Sequence, residues 1–523
     1  MTRIGAALSG GGHRATAWGV GALAALVETG ASADVVSVSS VSGGSIANGF
    51  VAASGDFREQ HVSARFADVV RPLLQVVARD GLFFPGTATR GYVIRALGSV
   101  ALIGLVGVGL LAALIAAGRE TRLIGYVIAG LVAGAVIGWK LGGPVRRRRV
   151  VVTAVAGVAT GLTALLGAGL TSGMHGTALW VVLTVLGVTW LLLVWIALVL
   201  LSQRGKAVER ALARTLLAHP ADGRPLTLAD VVSGVNHVLC ATDLESGDHF
   251  YMAPRFLYGY REGTSTTAPA TVTLAAAVQA SAALPGAFPP AIIETGPFVR
   301  DPSITNPSSS PQRVVLSDGG VYDNMAEQWE AGLEARLRRC PQLAKVQEPA
   351  DVLLVANASE DWEWNPFTAR GRVSRELLGL LRDQGIQYDV STARRRAQFF
   401  ERFHANRLAG RGPVGVIVMV DRSPLSLAAP FARGDDAVAQ RAREAVDFVL
   451  AQRSDEAWTA MAQHNAQVPT TLGPIGVEAA LDLMEHAFTS TVVGLYVLCG
   501  LGVLAPFPRA TYAAVLDDQP KEA

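Results

Sequence analysis

The chain has 523 residues, half of them hydrophobic, 17% charged and 55 of them glycine. That balance excludes a disordered or uniformly polar protein, and points to membrane-embedded sequence joined to a soluble part large enough for a core of its own. A net charge of +2 supplies no field for a polyanion, so nucleic acid is not an expected partner.

Residues 3–8 read as a first strand, followed by the turn Ser9-Gly10-Gly11-Gly12-His13-Arg14 and a helix through Val27. A strand, a glycine turn and a helix make half of an α/β unit. The second half is the valine-rich run 35–41, which breaks at Ser42-Gly43-Gly44 into a helix over 45–53. Residues 56–90 read as helix with a loop at 83–87. The N-terminal apolar run is too short for a secretion signal, and none is expected.

The composition then changes. Residues 96–118, 123–141, 150–170 and 178–201 are four nearly charge-free stretches, each close to the ~20 residues that cross a hydrocarbon core. Arg146-Arg147-Arg148-Arg149 with Lys140 marks the second connector, and Arg204, Lys206, Arg210 and Arg214 follow the fourth stretch. The third connector, 171–177, has no Lys or Arg, so the positive-inside rule puts the second connector and both flanks in the cytoplasm. Glycines at 130, 134 and 138 favour close helix packing within the bundle. The spans contain no Asp or Glu, which makes them an anchor rather than a transport path.

Soluble sequence resumes near Leu226, with strands expected at 235–241, 314–316, 351–356 and 415–420. Helices are expected at 274–283, around 394–407, at 435–452 and at 477–486, and an irregular loop at 296–311. The apolar run 487–505 contains three glycines and reads as a buried or membrane-grazing helix rather than a fifth span. Cys240, Cys340 and Cys499 stand singly, as buried thiols of a reducing compartment would. The expected division is 1–90, an inserted bundle over 91–204, and 205–523.

Ser42 sits where a strand turns sharply into a helix, a geometry that lifts one side chain above a sheet and aims backbone N–H groups at its target. The same pattern also serves as an idle Ser/Gly turn or a phosphate cradle. Gly10, Gly11 and Gly12 let a backbone approach an oxyanion, whereas G-x-G-x-x-G and Gly-Lys-Ser/Thr phosphate signatures are missing. Ser317-Asp318-Gly319-Gly320 would hold an aspartate rigidly after a strand, or form a plain Asp-Gly turn. His404, His464 and His486 are the downstream alternatives for a proton acceptor. Neither Asp243 with Glu245 nor Asp361 with Glu363 has metal-ligand spacing, and no metal or cofactor is expected.

Taken together, Gly10-Gly11-Gly12-His13-Arg14, Ser40-Val41-Ser42-Gly43-Gly44 and Asp318-Gly319-Gly320 resemble the marks of the patatin-like phospholipases. Ala241 to Gly247, Ala280 to Pro290 and Val321-Tyr322-Asp323-Asn324 resemble the same family. The resemblance implies a three-layer α/β fold with a mainly parallel central sheet, here interrupted by a four-helix transmembrane insertion. It also implies a Ser42–Asp318 dyad cleaving carboxylic esters of membrane phospholipid or another acyl lipid. The oxyanion donors would come from Gly10, Gly11, Gly12 and Gly43, with Arg14, Gly319 and Gly320 in support. One departure is Ser40, which stands where the family's elbow has glycine and is expected to crowd the turn. Rival readings are a catalytically weakened lipid- or partner-binding module, and an acyltransferase using the same dyad.

Overall fold

The computed structural model describes residues 2–59, 63–83, 89–116, 177–296, 298, 313–359 and 372–517. Its contacts form two units, Met1–Thr89 with Gly205–Ala523, and Arg90–Arg204.

In the first unit the small apolar residues of Ile4–Leu8 form strand β1, buried throughout. Helix α1 (Gly12–Glu28) is buried on every residue but its last, because apolar side chains on all faces suit a helix only to a core. Strand β2 (Val35–Ser40) lies parallel to β1 and leads into α2 (Gly43–Ala53), followed by α3 (Ser63–Gln75). The second unit is described through α4 (Arg90–Ala116) and α5 (Thr177–Ser202).

After α6 (Arg204–Thr215) come β3 (Asn236–Asp243), β4 (His249–Ala253), β5 (Phe256–Gly259), β6 (Gly263–Ser265) and α7 (Leu274–Ser281). Strands β7 (Ala291–Glu294), β8 (Arg313–Asp318) and β9 (Val352–Asn357) precede the long helix α8 (Arg372–Leu408) and strand β10 (Val414–Met419). The chain closes with α9 (Ala437–Gln452), α10 (Asp455–Ala466), α11 (Val477–Gly494) and α12 (Arg509–Asp517).

The sheet runs β10-β9-β1-β2-β3-β4-β5-β6, and its first five strands are all parallel. The apolar runs of β9 and β10, and the small or apolar residues of β1, suit strands covered on both faces, while β2 and β3 also bury serines, Asn236 and His237. One core, with Leu8, Trp18, Val38 and Met484, fills one face, and a second, with Val41, Val238, Trp329 and Phe403, fills the other. The fold is therefore α/β with helices about a largely parallel central sheet. The antiparallel extension β4–β6 and strand β7, which pairs with the expected strand β8, are additions to the expected elements.

One register detail positions the site. Asn236 to Leu239 of β3 pair with β2, and Ala241 to Asp243 pair with β8, which runs the opposite way. Strand β4 occupies the other edge of β3 over Leu239 to Thr242. Strands β2 and β8 therefore share one edge of β3 and meet end to end, with Ser40 opposite Leu239 and Asp318 opposite Ala241.

The end of the chain corrects one boundary. Helix α11 extends to Gly494 with 487–494 all buried, so the first part of the apolar run 487–505 is a core helix packed on α1.

In the second unit, α4 and α5 are each long and apolar enough to cross a membrane. Leu97, Val188, Leu191 and Trp195 are exposed on them. The two helices run antiparallel: the Tyr92 hydroxyl donates to the Leu200 carbonyl at 2.8 Å, and Gly107 lies against the Trp190 indole. Of the four expected spans these are the first and the fourth. The other two, 123–141 and 150–170, and the arginine run between them lie outside the described residues, as does most of the 296–311 loop.

Candidate active site

Ser42 caps the start of α2 with φ 51° and ψ −119°. Among the described residues only Ala326 shares a positive φ without being glycine. Such a conformation costs ~1–3 kcal/mol and persists only where its surroundings enforce it. Here the Ser42 N–H donates to Ser281 O at 3.1 Å and to Ser281 Oγ at 3.2 Å. The Gly44 N–H donates to Val41 O at 2.9 Å and to Ser9 O at 3.1 Å, which closes the turn. Gly43 is pressed so closely against the Gly12 carbonyl that no Cβ would fit. Ser42 itself stays partly accessible, while Ser39, Ser40 and Ser45 are fully buried, which singles it out among the neighbouring serines.

Asp318 ends β8, and the meeting of β2 and β8 along β3 sets its carboxyl against Ser42. It is 3% exposed, and Oδ1 accepts the Gly320 N–H at 2.7 Å. Burial pushes its pKa up to about 6, against the pull of the Gly320 N–H and the Ser42 hydroxyl. Oδ2 has no hydrogen-bond partner among the described residues, and the Ser42 hydroxyl favours the ionised carboxylate. Gly319 fits against the Cys240 carbonyl of β3, where a side chain would collide.

The glycine turn lies alongside. Gly11 and Gly12 have φ of 138° and 59°, values that disfavour any side chain. The Thr16 hydroxyl ties the two turns together, reaching Gly43 O at 2.8 Å and Gly12 O at 3.2 Å. The N–H groups of Gly11, Gly12 and Gly43 have no hydrogen-bond acceptor among the described residues, and they stand at the positive ends of α1 and α2. Gly10 is different, because its N–H donates to Asn324 O at 3.0 Å. That removes Gly10 from the expected oxyanion donors. Its part is steric: a Cβ there would strike Asn324 Oδ1 and approach Ser42 Cβ to 3.2 Å.

Arg14 is buried, and its guanidinium donates to the carbonyls of Ala358, Ala466 and Val468 at 2.7–3.0 Å. It therefore braces the loops behind the glycine turn and leaves no guanidinium face for a lipid headgroup. His13 does similar work. Its backbone N–H donates to Thr471 O at 2.8 Å, its Nδ1 bonds Gly473 O at 2.8 Å, and burial pushes its pKa down to about 4.

Ser40 does not crowd the elbow. Its hydroxyl accepts from Asn48 Nδ2 at 2.8 Å and from the Ser45 hydroxyl at 3.0 Å. Ser45 in turn bonds Ser281 Oγ at 2.8 Å, and Asn48 Oδ1 bonds His237 Nδ1 at 2.7 Å. The extra hydroxyl is thus a member of a buried polar network beneath the turn. Asn324, Ser281 and Asn48 are the residues that sequence reasoning left without a role. Asn324 and Ser281 lie in stretches that carried the resemblance, and Asn48 lies on α2 three residues after Ser45, on the same helix face.

The histidines lie elsewhere. His404 is exposed on α8 and lines a cavity at β10, and His464 is exposed on α10. His486 is a core residue, edge-on to Trp18 and bonded through Nε2 to Arg422 O at 2.8 Å. Among the described residues no three His, Cys, Asp or Glu side chains group as metal ligands would.

No family model matches this chain, and no curated protein matches it either. Among solved structures, that of VipD from Legionella pneumophila is similar at 12% identity over 94% of this chain and 91% of that chain, with a TM-score of 0.23. A score that low carries no argument for fold or function.

Proposed function

We propose that this chain is a patatin-like serine lipid acyl hydrolase, held at the bilayer by its apolar insertion. The reading rests on one observation above all: a strained, partly accessible Ser42 faces a buried Asp318 of raised pKa, beside three N–H groups with no acceptor among the described residues.

In the proposed reaction Asp318 takes the Ser42 proton as Oγ attacks an ester carbonyl. The N–H groups of Gly11, Gly12 and Gly43 hold the oxyanion of the tetrahedral intermediate. Its collapse breaks the ester C–O bond, and the departing alcohol leaves with the proton from Asp318. Water then attacks the acyl-Ser42 ester, giving its proton to Asp318, and the fatty acid departs as that proton returns to Ser42.

Helices α4 and α5, with 123–141 and 150–170, make up the proposed four-span anchor, with the catalytic unit facing the cytoplasm. Tethering suits an enzyme whose phospholipid or other acyl-lipid substrate lies in a bilayer, because it replaces a search by a high local concentration. The test is turnover of fluorogenic acyl esters by the full-length protein and its Ser42→Ala form at equal expression. Loss of turnover in the variant supports the proposal; equal turnover refutes it.

A further inference from the structure

The open edge of the sheet carries a cavity of about 460 Å³, bounded by β10, the end of α8, the loop after β10, and α11 with its terminal turn. That volume falls in the ~300–1,000 Å³ range of small-molecule sites. It lies at the opposite side of the parallel strands from β2, with β9 and β1 between.

Its walls divide by chemistry. Phe400, Phe403, Val416, Ile417, Leu427 and Phe431 supply its apolar lining. Arg396, His404, Arg407 and Arg422 also line it, and among the described residues no Asp or Glu does. Arg422 has a loose partner in Asp421 at 3.6 Å. Arg407 has none of that kind: its Nε donates to the Leu498 carbonyl at 3.1 Å, and no carboxylate pairs with it among the described residues. Burial pushes its pKa down, with Arg441 adding to the shift and Cys499 opposing it. A second polar group points the same way. Ser490 of α11 lines the cavity, is 1% exposed, and its hydroxyl has no hydrogen-bond partner among the described residues. A buried hydroxyl left unpaired carries a desolvation penalty that a ligand oxygen would recover.

An apolar wall with cations and an unpaired donor fits an anionic amphiphile. A cavity of this volume is of the size that takes one acyl chain with its headgroup. We infer that it binds a free long-chain fatty acid, with the carboxylate toward Arg407 and the Ser490 hydroxyl and the chain along the phenylalanines. This goes beyond the hydrolase reading and does not depend on it, although hydrolysis would supply the ligand.

The test uses the full-length Ser42→Ala protein in non-ionic detergent, so that no turnover is required, with a palmitate analogue carrying a chain diazirine. After irradiation, cross-links are mapped by mass spectrometry. The inference expects labelling of α8, β10 and the loop between β10 and α9, competed by palmitate and not by hexadecanol or inorganic phosphate. Labelling there should fall roughly tenfold in Arg407→Gln and in the cavity-filling Leu427→Trp. Ser490→Ala, which removes only a hydroxyl, should weaken competition by palmitate several-fold. Labelling that misses these elements overturns the inference, as does equal competition by hexadecanol or indifference to all three substitutions. Ester turnover by the parent chain is scored separately, so failure of one proposal does not read as failure of the other.

Discussion

Replacing Asp318 by Asn should make the protein more stable while abolishing its proposed chemistry. The buried carboxyl has its pKa raised from the ordinary 3.8 to about 6. That difference corresponds to ~3 kcal/mol against the folded state once the group is ionised in both folded and unfolded chains. Asp318 therefore costs nothing below the unfolded value, costs progressively more as pH rises toward 6, and reaches its full penalty above that. Asn removes the charge and keeps an oxygen for the Gly320 N–H, which Oδ1 now accepts at 2.7 Å. Melting curves of Asp318→Asn and the parent protein at pH 8 and near pH 4 give the assay. The variant should melt higher at pH 8, and the difference should close near pH 4. Its ester turnover should drop by ~10²–10⁴, the usual worth of a general base. A variant that melts lower at pH 8, or whose gain is the same at both pH values, refutes the account of a strained, desolvated base.

Three further outcomes follow from the same geometry. Turnover by the parent protein should rise with pH through about 6, because Asp318 must be ionised to accept the Ser42 proton; a profile flat across that region in initial-rate measurements would contradict this. Ser40→Gly matches the family's elbow yet strips the acceptor used by Asn48 and Ser45, so thermal melting should show a loss of ~1–3 kcal/mol rather than a gain. His404→Ala should leave ester turnover unchanged, since that side chain lines the β10 cavity and not the Ser42 turn; a drop comparable to that of Asp318→Asn would restore a histidine to the chemistry.

The parallel strands were readable because burial on both faces demands continuous apolar runs, as in Val352–Asn357 and Val414–Met419. The glycine turn and the Ser42 break were readable for a second reason: positive φ and close approach restrict the residues allowed there. Strands β4 to β6 were not, because they are three to five residues long and buried throughout, which removes the alternation that marks a half-exposed strand. Nor could spacing reveal the end-to-end meeting of β2 and β8, since it depends on both pairing with β3. The same limit explains Gly10, whose N–H is consumed by a residue more than 300 positions away. Ser40 read as a defect because its compensation lies in Asn48 and Ser45, whose roles emerge only once α2 packs against the strand ends.

The central claim is that Ser42 is a nucleophile activated by Asp318. Reaction of the full-length protein with a fluorophosphonate, followed by peptide mass spectrometry, tests it most directly, because the reagent forms a covalent adduct only with an activated hydroxyl held near oxyanion donors. The account predicts one adduct on Ser42, absent from Ser42→Ala and formed far more slowly by Asp318→Asn. No adduct on Ser42, or labelling as fast without Asp318 as with it, would contradict it.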